Sequence, residues 1–232
     1  MGTSERTLFR DRKDAGRRLA ERLARYRDED SVVLALPRGG VPVGYEISRA
    51  LHTPLDAFLS RKLGAPGREE FGIGAVAQGG VRVLNERAVE ALEIPKEYIE
   101  RVAKEEAEEI ERRLMILGGD RPEPEVEGRT AILVDDGLAT GVTARAAVEA
   151  LRQQNPGRLV LAVPVCAARS VKLLRPEVDE LVCLEAPSNL MAISLWYQDF
   201  YQVEDEQVVE LLERARRVRK ERGGATGPEG RT

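Results

Sequence analysis

The sequence predicts an α/β fold, an open and mainly parallel five-stranded sheet with helices on both faces. Three observations carry this. Short apolar runs recur near residues 32–36, 55–60, 131–135, 159–165 and 181–184. They are too short for a helical period and as rich in Val, Ile and Leu as strands covered on both faces. Amphipathic stretches separate most of them, which is the alternation that builds a parallel sheet. Three of the runs end in glycines, acids or bases, at the carboxyl edge where α/β proteins bind ligands. The 232 residues suffice for one large α/β domain with an insertion or a small cap.

In chain order, Asp11–Arg27 reads as a helix, with Ala15, Leu19 and Leu23 on one stripe and a basic face assigned to solvent. Ser31–Leu36 is the first buried strand. It runs into Pro37-Arg38-Gly39-Gly40 and then a helix over Val41–Leu51, with Pro42 in the first turn. Two glycines after an arginine let backbone approach an anion closely. Leu55–Ser60 is the second strand, ending in Arg61-Lys62. Gly64, Pro66 and Gly67 break any period in Leu63–Phe71, which is expected to be a mobile loop. Ile73–Ala77 and Val81–Leu84, joined by Gln78-Gly79-Gly80, read as a hairpin.

Glu86–Leu117 holds roughly two helices, with an apolar stripe at Ile99, Ala103, Ala107, Ile110, Leu114 and Leu117. That stripe is long enough to pack on the core or on a second subunit, so a homodimer stays open. Arg121–Gly128, rich in Pro and Glu, links back to the core. Strands over Arg158–Val165 and Glu180–Glu185 flank a short helix, Ala168–Leu174. Pro187–Gln202 is irregular and holds Trp196, Tyr197, Phe200 and Tyr201. Asp205–Arg219 is a C-terminal helix, and Gly223–Thr232 is expected to be a flexible tail.

The chemistry concentrates in Thr130–Thr143, TAILVDDGLATGVT. A buried strand ends in Asp135 and Asp136. The small loop Gly137-Leu138-Ala139-Thr140-Gly141 then leads through Val142 and Thr143 into a helix. Backbone N–H groups and the dipole at a helix start favour an anion, and Thr140 and Thr143 add hydroxyl donors. Carboxylates repel a phosphate, so the acids suit a sugar diol beside it. Hydroxyls and a phosphate one sugar-length apart describe a ribose 5-phosphate. The stretch is not a P-loop, since no GK[ST] is present.

Four apolar residues, two acids and a small Thr/Gly loop closely resemble the 5-phosphoribosyl 1-pyrophosphate (PRPP) motif of type I phosphoribosyltransferases. The resemblance implies that fold, with a phosphoribosyltransferase core over 1–185, a C-terminal hood subdomain and helix over 186–222 and a tail over 223–232. The helical segment, about 86–128, is an insertion by comparison with the family. The resemblance gives the ribose hydroxyls to Asp135 and Asp136. It gives the 5′-phosphate to Gly137, Ala139, Thr140, Gly141, Val142 and Thr143. Pyrophosphate falls to Arg38, Gly39 and Gly40, in a loop that often holds a strained, sometimes cis, peptide, and to Arg61 and Lys62. Mg²⁺ would arrive with PRPP, and Asp135 and Asp136 are its candidate protein ligands.

The implied reaction is attack by a nucleophile, usually a ring nitrogen, at ribose C1 with loss of pyrophosphate. Hypoxanthine-type members carry an Asp where Ala139 stands. The run DDGLATG is more like adenine phosphoribosyltransferase, where a loop Glu moves the proton; Glu70 matches it, with Glu69 beside it, although both also read as solvated loop carboxylates. Trp196, Tyr197 and Phe71 are the candidates for stacking on the acceptor, against the alternative that the C-terminal rings pin the last helix to the sheet. Two other functions fit the same site: a PRPP-binding regulator, and a hydrolase or phosphorylase acting on a phosphoribosyl compound.

Composition narrows the rest. The net charge of −4 gives no electrostatic case for nucleic-acid or membrane partners. No apolar run approaches the ~20 residues of a membrane span, and no signal peptide opens the chain, so a cytoplasmic location is expected. Cys166 and Cys183 lie in apolar runs and read as buried thiols. His52 is the only histidine, which argues against Ser-His-Asp hydrolysis and His-based metal sites.

Overall fold

The computed structural model describes residues 9–118 and 125–224, and all side chains among them except those of residues 69, 70 and 219–224. In chain order the elements are α1 (Arg12–Arg22), β1 (Ser31–Ala35), α2 (Gly40–Leu51), β2 (Leu55–Ala57), β3 (Ser60–Ala65), β4 (Arg68–Ala77) and β5 (Arg82–Leu84). They continue with α3 (Glu86–Ala91), α4 (Lys96–Gly118), β6 (Thr130–Val134), α5 (Val142–Gln153), β7 (Arg158–Val165), α6 (Ala168–Leu174), β8 (Glu180–Glu185) and α7 (Asp205–Gly224).

The main sheet has the order β2-β1-β6-β7-β8, and every pair in it is parallel. Its strands feed two cores by the two-residue alternation of strand side chains. Val33, Ala35, Ile132, Val134, Val160 and Ala162 face α1, α2 and α7. Val32, Leu34, Ala131, Leu133, Leu159 and Leu161 face α5. Both faces are covered, which is why these runs are continuously apolar rather than alternating.

The second strand departs from expectation. β2 stops at Ala57, and Ser60 opens a separate antiparallel sheet of order β3-β4-β5. The Phe58 N–H donates to the Ala35 carbonyl (2.9 Å), and the Gln78 N–H donates to the Leu59 carbonyl (2.8 Å), so the chain changes partner within two residues. Arg61 and Lys62 therefore sit inside β3, opposite Val76 and Ala75. Leu63–Phe71, expected as a mobile loop, is the end of β3, a turn at Pro66-Gly67 and the start of β4. Cross-strand pairing outweighs the local breakers, which show only as register shifts beside Gly64. The hairpin through Gln78-Gly79-Gly80 forms as expected.

The expected helical segment divides into α3 and α4. Ile99, Ala103, Ile110 and Leu117 of α4 join the core that contains Leu63 and Ile73 of the small sheet and Val208 and Leu212 of α7. α7 lies along α2. Residues 121–124 of the Arg121–Gly128 link and residues 225–232 of the expected tail lie outside the described residues. Ile110 is fully buried at the junction of these elements. Ile110→Ala is expected to cost about 2–5 kcal/mol, the range for deleting a core isoleucine side chain. Urea unfolding would show one cooperative transition at a lower midpoint; an unchanged midpoint would mean that α4 is not part of the core.

Candidate functional site

Two loops meet at the carboxyl edge of the sheet. β1 and β6 are neighbours, with Ala35 opposite Val134. The residues that follow, 37–40 and 135–141, are therefore side by side. From β1 the chain winds to β2 on one side, and from β6 it winds to β7 and β8 on the other. This is the switch point at which α/β sheets open a crevice. The approach is close enough to require glycine. A Cβ on Gly40 would lie 2.7 Å from the Val134 carbonyl oxygen, and one on Gly39 would lie 1.9 Å from Asp136 Oδ2. The Pro37–Arg38 peptide is cis, in the loop where the family resemblance leads one to expect such a bond.

The two acids occupy different surroundings. Asp135 is half-buried and lines a cavity of about 540 Å³. Its Oδ1 accepts the Asp136 N–H at 2.8 Å. Desolvation by the surrounding protein, and then the charge on Asp136, raises its carboxyl well above the usual carboxylate range. The Asp136 carboxylate turns towards Gly39 and Arg12. Arg12 Nε donates to its Oδ2 at 2.8 Å, and the Tyr197 hydroxyl donates to its carbonyl oxygen at 2.6 Å. Burial raises Asp136 as well, and Arg12 opposes the shift.

The expected phosphate loop is stitched down on its far side. Leu138 pairs with the end of β7, its N–H donating to the Val165 carbonyl and its carbonyl accepting from the Ala167 N–H, both at 2.9 Å. Ser170 Oγ donates to the Ala139 carbonyl at 2.8 Å. Gly141, at φ 74°, takes the left-handed turn that starts α5. The first turn of α5 carries no acid, so nothing on that helix competes for its positive end.

The cavity brings Asp135 and Thr143 together with Pro37 of the first loop and with Arg61 and Lys62 of β3. Its opposite wall is α4, through Tyr98, Val102, Glu106 and their neighbours. Arg61 is ion-paired to Glu106 across this space. Gly39, Gly40 and Arg38 flank the crevice, but the Arg38 guanidinium turns to the start of α7, 3.5 Å from Glu204 and 3.9 Å from Asp205. Glu69 and Glu70 belong to β4, and their side chains lie outside the described residues.

The aromatic candidates are not brought to this cavity. Trp196 and Tyr197 are 6% and 5% exposed and pack with Phe9, Ala15 and Val165. Phe71 is exposed on β4 at 49%. Two groups escape a reading of the sequence. Arg12 belongs by pattern to a solvated basic face, yet its side chain is 11% exposed and paired. The wall of α4 carries a faint signal, the four-residue spacing of Tyr98, Val102 and Glu106, which the apolar stripe beside it masks.

Residues 9–198 match the phosphoribosyl transferase domain family. Two curated relatives from Mycobacterium tuberculosis strains, CDC 1551 / Oshkosh and ATCC 25618 / H37Rv, both named "Putative phosphoribosyl transferase", are 41% identical over 216 residues. The match covers 93% of this chain and 49% of theirs, so the chain spans about half their length. The crystal structure of TT1426 from Thermus thermophilus is similar at 42% identity and a TM-score of 0.76, over 88% of this chain and 97% of that one.

The raised Asp135 carboxyl makes a signed prediction. A group that holds its proton more tightly folded than unfolded favours folding below its unfolded value of about 3.9, and that stability is lost as pH rises through its folded value. Asp135→Asn removes this loss while keeping an oxygen for the Asp136 N–H. The variant should be more stable than wild type at pH 7, and the difference should shrink towards pH 4. Urea unfolding of both proteins at the two pH values checks this; a variant no more stable at pH 7 would contradict it.

Proposed function

This chain belongs to the phosphoribosyl transferase family, and on that premise we propose that it transfers the 5-phosphoribosyl group of PRPP to a nitrogenous acceptor and releases pyrophosphate. One observation carries the reading: a single cavity joins Asp135 and Thr143 of the PRPP motif to Arg61 and Lys62. Ribose hydroxyls and leaving-group charge thus have matching partners within one space. Asp135 and Asp136 hold the diol. The backbone and hydroxyls from Gly137 to Thr143 hold the 5′-phosphate at the start of α5. Arg61 and Lys62 draw off the charge that develops on the leaving pyrophosphate, helped by the backbone of Arg38, Gly39 and Gly40.

The two carboxylates are hard oxygen donors of the kind that bind Mg²⁺ together with substrate phosphates, so Asp135 and Asp136 would hold it. Bound there, Mg²⁺ would neutralise charge on pyrophosphate oxygens. The remaining wall, α4 with Tyr98 and Val102, is proposed as the acceptor side, in place of the buried C-terminal rings. Glu70 is proposed to take the acceptor proton. Fixing ribose and acceptor in one cavity converts a two-body reaction into an oriented one.

The test is pyrophosphate release from PRPP and Mg²⁺ with a panel of nucleobases and small amines. Release with at least one acceptor is expected. Binding of PRPP without release from any of them would favour the regulator. In calorimetry, Asp135→Asn combined with Asp136→Asn should abolish PRPP binding, at about 1.5–3 kcal/mol for each charge-assisted hydrogen bond lost. Unchanged affinity in the double variant would refute the site. Arg61→Ala should weaken pyrophosphate more than ribose 5-phosphate, and equal losses would place Arg61 away from the leaving group.

A further inference from the structure

Arg12 is the first residue of α1, far in sequence from any phosphoribosyl motif. Its side chain makes three contacts at once. Nε donates to Asp136 Oδ2 at 2.8 Å, and Nη1 donates to the Tyr201 carbonyl at 2.7 Å. The guanidinium carbon lies 3.8 Å over the Phe200 ring. That ring is 5.0 Å from Tyr197, whose hydroxyl holds the Asp136 carbonyl oxygen at 2.6 Å. Asp136 is thus gripped at its carboxylate through Arg12 and at its backbone through Tyr197, and both grips are built on the segment 197–201.

We propose that Arg12 is a positioning residue for ribose recognition, locked by Phe200 and Tyr201 so that it fixes the Asp136 carboxylate for the sugar hydroxyls. The inference rests on the phosphoribosyl reading of the site. It gives the C-terminal aromatic segment work at the sugar instead of at the acceptor. Arginine is required by shape as well as charge. A planar fork can donate in two directions while its face stacks on a ring, and an ammonium group cannot. Without Arg12 the carboxylate, already packed over Gly39, would stand beside Asp135 without the guanidinium that pairs it.

The test compares two ligands by calorimetry on the full chain. Ribose 5-phosphate carries the diol; tetrahydrofurfuryl phosphate keeps a five-membered ring and a phosphate but has no ring hydroxyls. Arg12→Gln should weaken ribose 5-phosphate about tenfold, as expected for a disordered charge-assisted contact, and change tetrahydrofurfuryl phosphate by less than about twofold. Arg12→Lys should recover only part of the loss. Phe200→Leu, which keeps Arg12 and removes the face it rests on, should give a smaller loss confined to ribose 5-phosphate, and it decides the matter if Arg12→Gln does not fold. Equal losses for both ligands would make Arg12 merely structural and overturn the inference, as would undiminished ribose 5-phosphate binding. Wild-type protein that binds neither ribose 5-phosphate nor PRPP would overturn the phosphoribosyl reading, and this inference with it.

Discussion

Two adjacent carboxylates at the end of a buried strand set the terms for everything around them. Two unit charges about 5 Å apart interact by roughly 3 kcal/mol at an effective dielectric near 20. One close guanidinium therefore offsets one such repulsion. Arg12 supplies it to Asp136 in an ion pair whose partners are 11% and 13% exposed. Asp135 receives the Asp136 N–H but no hydrogen bond from Arg12, and desolvation, then the charge on Asp136, pushes its carboxyl up. The asymmetry follows from direction: Asp135 faces the cavity, and Asp136 faces α1 and Gly39. Neighbouring residues of the same type thus present one carboxylate to the cavity and pair the other with α1.

The same constraint explains why the segments at Phe9 and Trp196–Gln198 meet here. The Phe9 N–H donates to the Trp196 carbonyl at 2.9 Å, and the Gln198 N–H donates back to the Phe9 carbonyl at 2.8 Å. This short parallel contact delivers Arg12 from one side and Tyr197 from the other. Phe9, Trp196 and Tyr197 fill a small core against Val165 at the end of β7. Their burial follows from what they hold. A hydroxyl donated to the Asp136 backbone at 2.6 Å needs its ring fixed, and packing against Phe9, with centroids 5.3 Å apart, fixes it.

Sequence reasoning reached the parts of this arrangement that are local. The five parallel strands were legible because each is an apolar run covered on both faces. The loops at 37–40 and 135–141 were legible because glycine and paired acids at strand ends are unusual. The order of the strands was not, since no run states its neighbour. The split between β2 and β3 was hidden because Phe58 and Leu59 are as apolar as the strand before them, while their hydrogen bonds go to different sheets. Arg12 was hidden by company: it is one basic residue in a helix with many, and only tertiary contact separates it from Arg17 or Arg18, whose side chains are 47% and 36% exposed. The α4 wall was hidden by its apolar stripe, which accounts for the helix before its second face is considered.

On the proposed function the cavity has to keep cations in place before an anion arrives, and the ion pairs around it meet that need. Arg61 rests on Glu106 of α4, while Arg38 and Arg113 both reach Asp205 at the start of α7. These side chains are about a quarter to a third exposed, so such pairs contribute only about 0–1 kcal/mol each to stability. Weakness is useful here. A phosphate group offers arginine, through two of its oxygens, the same two-pronged match as a carboxylate, with more charge. On the same proposal, exchanging Glu106 for a phosphate group loses little and need not disturb the fold, because Ile99, Ala103 and Ile110 place α4 in the core. The apolar stripe fixes the wall, and the polar stripe beside it is left to be exchanged.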